Sequence, residues 1–134
     1  MSEPVVLYEE QGSVAIITLN RPDKMNTLTE GVVQGVADSI DRATASRPVR
    51  SIVLRGAGRA LTGGYDLNPG SAGSEIEGGW GSPFDAPGPK PREGAWDPVR
   101  DLQFMGHNVK RFMKIWECPK PVLGQIHGWA IGGA

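Results

Sequence analysis

Three short runs rich in β-branched residues, at 14–19, 51–55 and 122–127, alternate with two stretches whose apolar residues recur at helical spacing. That alternation constrains the fold more than any other feature, because strands separated by helices return to the same sheet through right-handed crossovers. A further run, Val5-Val6-Leu7-Tyr8, precedes the first and meets it across the turn signal Gln11-Gly12. The chain is therefore expected to open on a β-hairpin whose second strand is buried on both faces. Pro22, in Asn20-Arg21-Pro22-Asp23, ends the pattern, since it has no N–H for a ladder.

A helix is expected from Thr29 to about Ala43, with Val32, Val33, Val36, Ile40 and Ala43 on one face and Gln34, Asp38 and Asp41 on the other. Thr27-Leu28-Thr29-Glu30 supplies either a capping box or a simple threonine cap, and Arg47-Pro48 closes the segment. A second helix is expected to open with Asp97 as cap and Pro98 in the first turn. Its stripe of Leu102, Met105, Val109, Phe112, Met113 and Trp116 is expected to pack in the core, and Pro119 and Pro121 end it. The strands at Ile52–Leu54 and Val122–Ile126 read as buried on both faces. The order hairpin, helix, strand, loop, helix, strand gives an α/β class.

Glycine and proline dominate the loop at about 68–96, where no apolar period survives. So long a loop inside one domain is expected to be mobile or functional rather than a boundary, and residues 1–134 read as part of a single domain. The net charge is −1, with Lys and Arg scattered, so no basic patch points to nucleic acid. No apolar run is long enough to span a bilayer. Met1-Ser2-Glu3-Pro4 resembles neither a signal nor a transit peptide. Cys118 is the single cysteine, which excludes an intramolecular disulfide. These signs favour the cytoplasm and no membrane partner.

Two glycine clusters follow directly from buried strands: Thr62-Gly63-Gly64-Tyr65-Asp66 and Gly128-Trp129-Ala130-Ile131-Gly132-Gly133. Glycine there serves a tight turn, or lets a ligand reach main-chain N–H groups. Nucleotide-binding patterns fail: Gly56-Ala57-Gly58 lacks the third glycine of the dinucleotide fingerprint, and no glycine loop ends in Gly-Lys-Ser/Thr. There is no Gly-x-Ser-x-Gly elbow. His107 and His127 lack ligand spacing, so no metal is expected. His127, against the second cluster, is a candidate substrate contact. Asp66 is the acid nearest the clusters, a candidate base or the cap of a following turn, while Glu75 and Glu117 read as solvated.

Ile16 through Leu28, Ala60 through Leu67, and Lys120 through Gly133 together resemble the crotonase superfamily of enoyl-CoA hydratases and isomerases, in that family's order. The resemblance implies a crotonase-like ββα spiral, of which this chain is the N-terminal part. It implies an acyl-CoA thioester as partner, with lyase or isomerase chemistry in fatty acid metabolism. The N–H groups of Tyr65 and Gly133 are then the oxyanion-hole donors, and Lys24, Met25, Thr62, Gly63, Gly64 and Asp66 hold the CoA ester. Hydration, isomerisation and thioester hydrolysis all place negative charge on the carbonyl oxygen. Losing one preorganised donor costs about 3–4 kcal/mol of barrier. Tyr65 stands where many hydratases have a small residue, so its ring shapes the acyl pocket or turns away from it. No cofactor beyond the CoA of the substrate is implied, and the family assembles as trimers or pairs of trimers. Its catalytic glutamates lie downstream of the second glycine motif. The alternative expectation is therefore a truncated, non-catalytic remnant that at most binds CoA or intact homologues.

Overall fold

The computed structural model describes residues 3–66 and 98–134. The expected loop at about 68–96, with Glu75, and the Asp97 cap lie outside the described residues. β1 (Val6–Gln11) and β2 (Val14–Leu19) form the hairpin, followed by a 3-10 turn at Pro22–Lys24, α1 (Glu30–Ala45), β3 (Ser51–Gly56), α2 (Pro98–Glu117) and β4 (Val122–Gln125). The sheet order is β1-β2-β3-β4. The first pair is antiparallel, and β3 and β4 each join in parallel, with Ile17 opposite Leu54 and Leu54 opposite Gly124.

α1 begins where Thr29 takes an extended backbone and its side chain accepts the N–H of Val32 at 3.3 Å. That is the simple cap; Glu30 is engaged elsewhere, by Arg111. Val32, Val33, Ala37, Ile40 and Ala43 are buried at helical spacing, against Ala15, Ile17, Leu19 and Ile52 of the sheet. Full burial of each large side chain contributes about 1.5–3 kcal/mol. At the far end of α1 the Lys120 ammonium donates to the carbonyls of Ala43 and Ser46, both at 2.6 Å. This is a cation on otherwise unpaired C-terminal carbonyls, where the helix dipole favours it. Tyr8 anchors the hairpin to the same helix, its ring 4.1 Å beneath the Arg42 guanidinium. Desolvation by burial, then its hydrogen bond to Glu10, pushes the Tyr8 phenol up to about 12.

Two expectations need correction. The apolar stripe of α2 is mostly not core among the described residues: Leu102, Met105, Val109, Met113 and Trp116 are exposed, Trp116 by 83%, while Phe112 of that stripe packs half-buried against the core. The buried face lies one residue round the helix, at Asn108 and Arg111, with Phe112 and Ile115 half-buried beside them. Arg111 pairs with Glu30 and Lys114 with Asp41, and these cross-links face α2 toward α1. The strand at 122–127 is shorter and is not buried on both faces. β4 ends the sheet order, pairs only with β3, and exposes Leu123. β3, flanked by β2 and β4, meets the expectation in part, with Ile52 fully buried and Val53 and Leu54 half-buried. Among the described residues no helix is long and apolar enough to cross a membrane.

Candidate functional site

Three backbone segments that are distant in sequence converge at one end of the sheet. Residues 25–28 lie on one flank of 62–66, and residues 127–131 lie on the other. On the first flank, Gly63 N–H donates to Met25 O (2.7 Å), Leu28 N–H to Gly64 O (2.8 Å), and Asp66 N–H to Leu28 O (3.0 Å). On the second, Leu61 N–H donates to His127 O (3.0 Å), Thr62 N–H to Trp129 O (3.1 Å) and Ile131 N–H to Thr62 O (3.2 Å). Leu28 pairs with Tyr65, and Thr62 with Ala130, as parallel bridges.

Asn26 is the residue on which the first flank turns. It is fully buried, with a left-handed φ of 51°, next to Met25 at 52°. Its side-chain oxygen accepts the Arg21 N–H at 2.8 Å, and its amide donates to Ala57 O and Ala60 O at 2.8 and 2.9 Å. Its own carbonyl accepts the Thr62 hydroxyl at 2.7 Å. Asn26 was not singled out in the sequence. The only signal was its type, since asparagine tolerates the left-handed region better than other residues with a Cβ.

The sequence-derived candidates have distinct environments. Lys24 is exposed at the end of the 3-10 turn. Met25 is half-buried, and its sulfur lies 3.4 Å from an Arg59 guanidinium nitrogen. The Thr62 hydroxyl is committed to Asn26 O and to the N–H of Gly64, which it accepts at 3.1 Å. Asp66 turns its carboxylate to Arg21 (3.2 Å) and to the Thr27 hydroxyl (3.1 Å), and Arg21 also donates to Thr27 O at 2.8 Å. His127 sits 2.9 Å from Gly58 O through Nε2, and His107 and Glu117 are exposed. Among the described residues no group of His, Cys, Asp and Glu has the makings of a metal centre.

Two glycines make the convergence sterically feasible. At Gly64, with φ +92°, a Cβ would meet Ile131 O at 3.1 Å. At Gly133, with φ +91°, it would meet the Tyr65 ring at 2.9 Å and the Leu28 side chain at 3.1 Å. The Tyr65 ring therefore lies against Gly133, and it meets Phe112 edge-on at 6.5 Å between centroids. The Gly133 N–H has no acceptor among the described residues. Gly133 also borders two spaces. One is an open apolar cleft of about 720 Å³, lined by Ile115, Cys118, Pro121, Val122 and Ile126 among others. The other is a small cavity of about 80 Å³ between α1, α2 and the sheet.

A family model described as enoyl-CoA hydratase/isomerase matches residues 9–83. The probable enoyl-CoA hydratase echA12 of Mycobacterium leprae is 33% identical over 133 residues, which is 99% of this chain and 40% of that protein. The mitochondrial Delta(3,5)-Delta(2,4)-dienoyl-CoA isomerase of Rattus norvegicus is 31% identical over 131 residues, 98% of this chain and 36% of that one. Among solved structures, an enoyl-CoA hydratase/isomerase from Xanthobacter autotrophicus Py2 superposes with a TM-score of 0.70 at 26% identity, over 98% of this chain and 42% of that chain. The chain thus spans roughly two-fifths of the length of the proteins it matches.

Proposed function

The chain belongs to the enoyl-CoA hydratase/isomerase family of the crotonase superfamily, and from that premise we propose that it polarises the carbonyl of an acyl-CoA thioester between the N–H groups of Tyr65 and Gly133. The α/β fold expected from the sequence is the family's. One observation carries the site assignment. In the parallel bridge, Leu28 bonds to Gly64 and Asp66 on either side of Tyr65. That pattern turns the main-chain N–H of Tyr65 itself to the opposite flank, where the second glycine cluster lies.

Two N–H donors fixed by the backbone stabilise an enolate oxygen without reorganising as the charge develops. Addition of water to a 2-enoyl thioester, or migration of its double bond, passes through that charge. The Tyr65 ring shapes the wall beside Gly133. Asp66, held by Arg21 and Thr27, positions the loop that carries Tyr65. Lys24 offers an exposed ammonium beside the 25–28 turn for the CoA phosphates, while Met25, Thr62, Gly63 and Gly64 hold the ester through the backbone they shape. CoA belongs to the substrate, and no separate cofactor enters the proposal. A homotrimer or pair of trimers is the assembly proposed for the enzyme.

The test separates main chain from side chain. In the purified enzyme Tyr65→Phe keeps turnover of a 2-enoyl-CoA within a few-fold, because the donor is the backbone. Tyr65→Pro removes the N–H and lowers kcat by about 100- to 1000-fold. Equal turnover in the two variants would sink the assignment.

A further inference from the structure

Arg111 carries a buried donor that the site above does not use. It lies on α2, is 6% exposed, and lines the cavity of about 80 Å³ that Gly133 borders. A guanidinium has five N–H donors. Four are engaged: Nη1 with Glu30 Oε1 and, at 3.4 Å, Gln34 Oε1; Nη2 with Glu30 Oε2 at 2.9 Å and with Asn108 Oδ1. The fifth, on Nε, is buried and has no acceptor among the described residues. Buried donors are nearly always paired, so an orphan in a lined cavity points to a ligand atom.

Among the described residues the rest of that lining is apolar apart from Thr62, with Leu28, Val33, Leu61 and Phe112 among the walls. The Thr62 hydroxyl already serves Asn26 and Gly64. A cavity of about 80 Å³ exceeds the roughly 10–15 Å³ one water needs, and suits a short acyl group. Glu30 neutralises the guanidinium, so the remaining donor favours a neutral oxygen over a carboxylate.

We propose that Arg111 determines acyl specificity, its Nε–H binding a hydroxyl or carbonyl oxygen at the far end of a short acyl group. The inference rests on the oxyanion reading, which puts the thioester beside Gly133. It assigns the substrate as a short, oxygen-bearing acyl-CoA.

Calorimetric titration of the purified protein with 4-hydroxybutyryl-CoA and pentanoyl-CoA tests it, since these differ by OH against CH3 at the chain end. The wild type binds the hydroxylated ester about tenfold more tightly. Arg111→Lys keeps a cation for Glu30 but has no Nε donor, and brings the ratio to about one while pentanoyl-CoA binding persists. A wild-type ratio near one, or a ratio that survives in Arg111→Lys, overturns the assignment and leaves Arg111 as a tie between helices. If the wild type binds neither ester, it is the underlying thioester reading that fails. Should Arg111→Lys lose both ligands, Glu30→Gln decides. Without its counter-charge the guanidinium draws a carboxylate, so succinyl-CoA gains on pentanoyl-CoA; no gain overturns the proposal.

Discussion

Asn26 ties the first flank of the candidate site together, hydrogen-bonded to Arg21, Ala57, Ala60 and Thr62. Its backbone occupies a region that costs most side chains about 1–2 kcal/mol, and its amide is the shared partner of two carbonyls at the start of the Tyr65 loop. Asn26→Ala leaves those carbonyls unpaired and keeps the strain. The expected loss is about 2–3 kcal/mol in urea unfolding. Asn26→Gly relieves the strain but not the lost hydrogen bonds, and should recover about 1 kcal/mol of that. Equal loss in both would mean that the left-handed turn is not held as described. Tyr65 and Gly133 are candidates through the family resemblance, on glycine clusters that stand out in the sequence. The sequence hid Asn26, because an asparagine after a proline turn looks like any turn former, and its partners Ala57, Ala60 and Thr62 lie 31 to 36 residues away.

The elements show where periodicity is informative and where it stops. The period of α2 was legible, but not the side it buries, because two adjacent stripes compete. Leu102, Met105, Val109, Met113 and Trp116 form the greasier one, yet Arg111 and Asn108 occupy the buried one through the pairing with Glu30. Hydrophobicity ranks the stripes by transfer energy, and a charge pair formed across 81 residues of sequence is invisible to it. β4 departs from expectation for a related reason, since an apolar run reports suitability for burial rather than the neighbours that provide it. Lys120 gives the element-scale prediction. Lys120→Met strips the cation from the last carbonyls of α1 and should lower stability by about 0.5–1 kcal/mol. Lys120→Arg should restore most of it. Thermal melts of the three proteins check this, and identical midpoints would remove the cap from the account.

At the scale of the molecule, the order of elements and the α/β class were readable from alternation alone, whereas the meeting of residues 25–28, 62–66 and 127–131 was not. That meeting depends on register between strands, and spacing along a chain carries no register; only the family resemblance supplied it. The described residues also leave an apolar border on β4 and beyond, with Ile126 exposed by 65% beside Leu123, Trp129 and Ile131. An exposed, apolar edge is a template for pairing with another chain. The 134-residue chain by itself should therefore self-associate, and Ile126→Lys should shift it toward monomer in sedimentation velocity. Unchanged association in that variant would acquit the edge. The segment 62–66 has a different consequence. Because it is hydrogen-bonded on both flanks, the early turn around Asn26 and the late turn at Gly133 are mechanically in series. If the chain takes an acyl-CoA as proposed, the nucleotide half of the ester and its thioester half would then press on one hydrogen-bonded unit rather than on two separate ones.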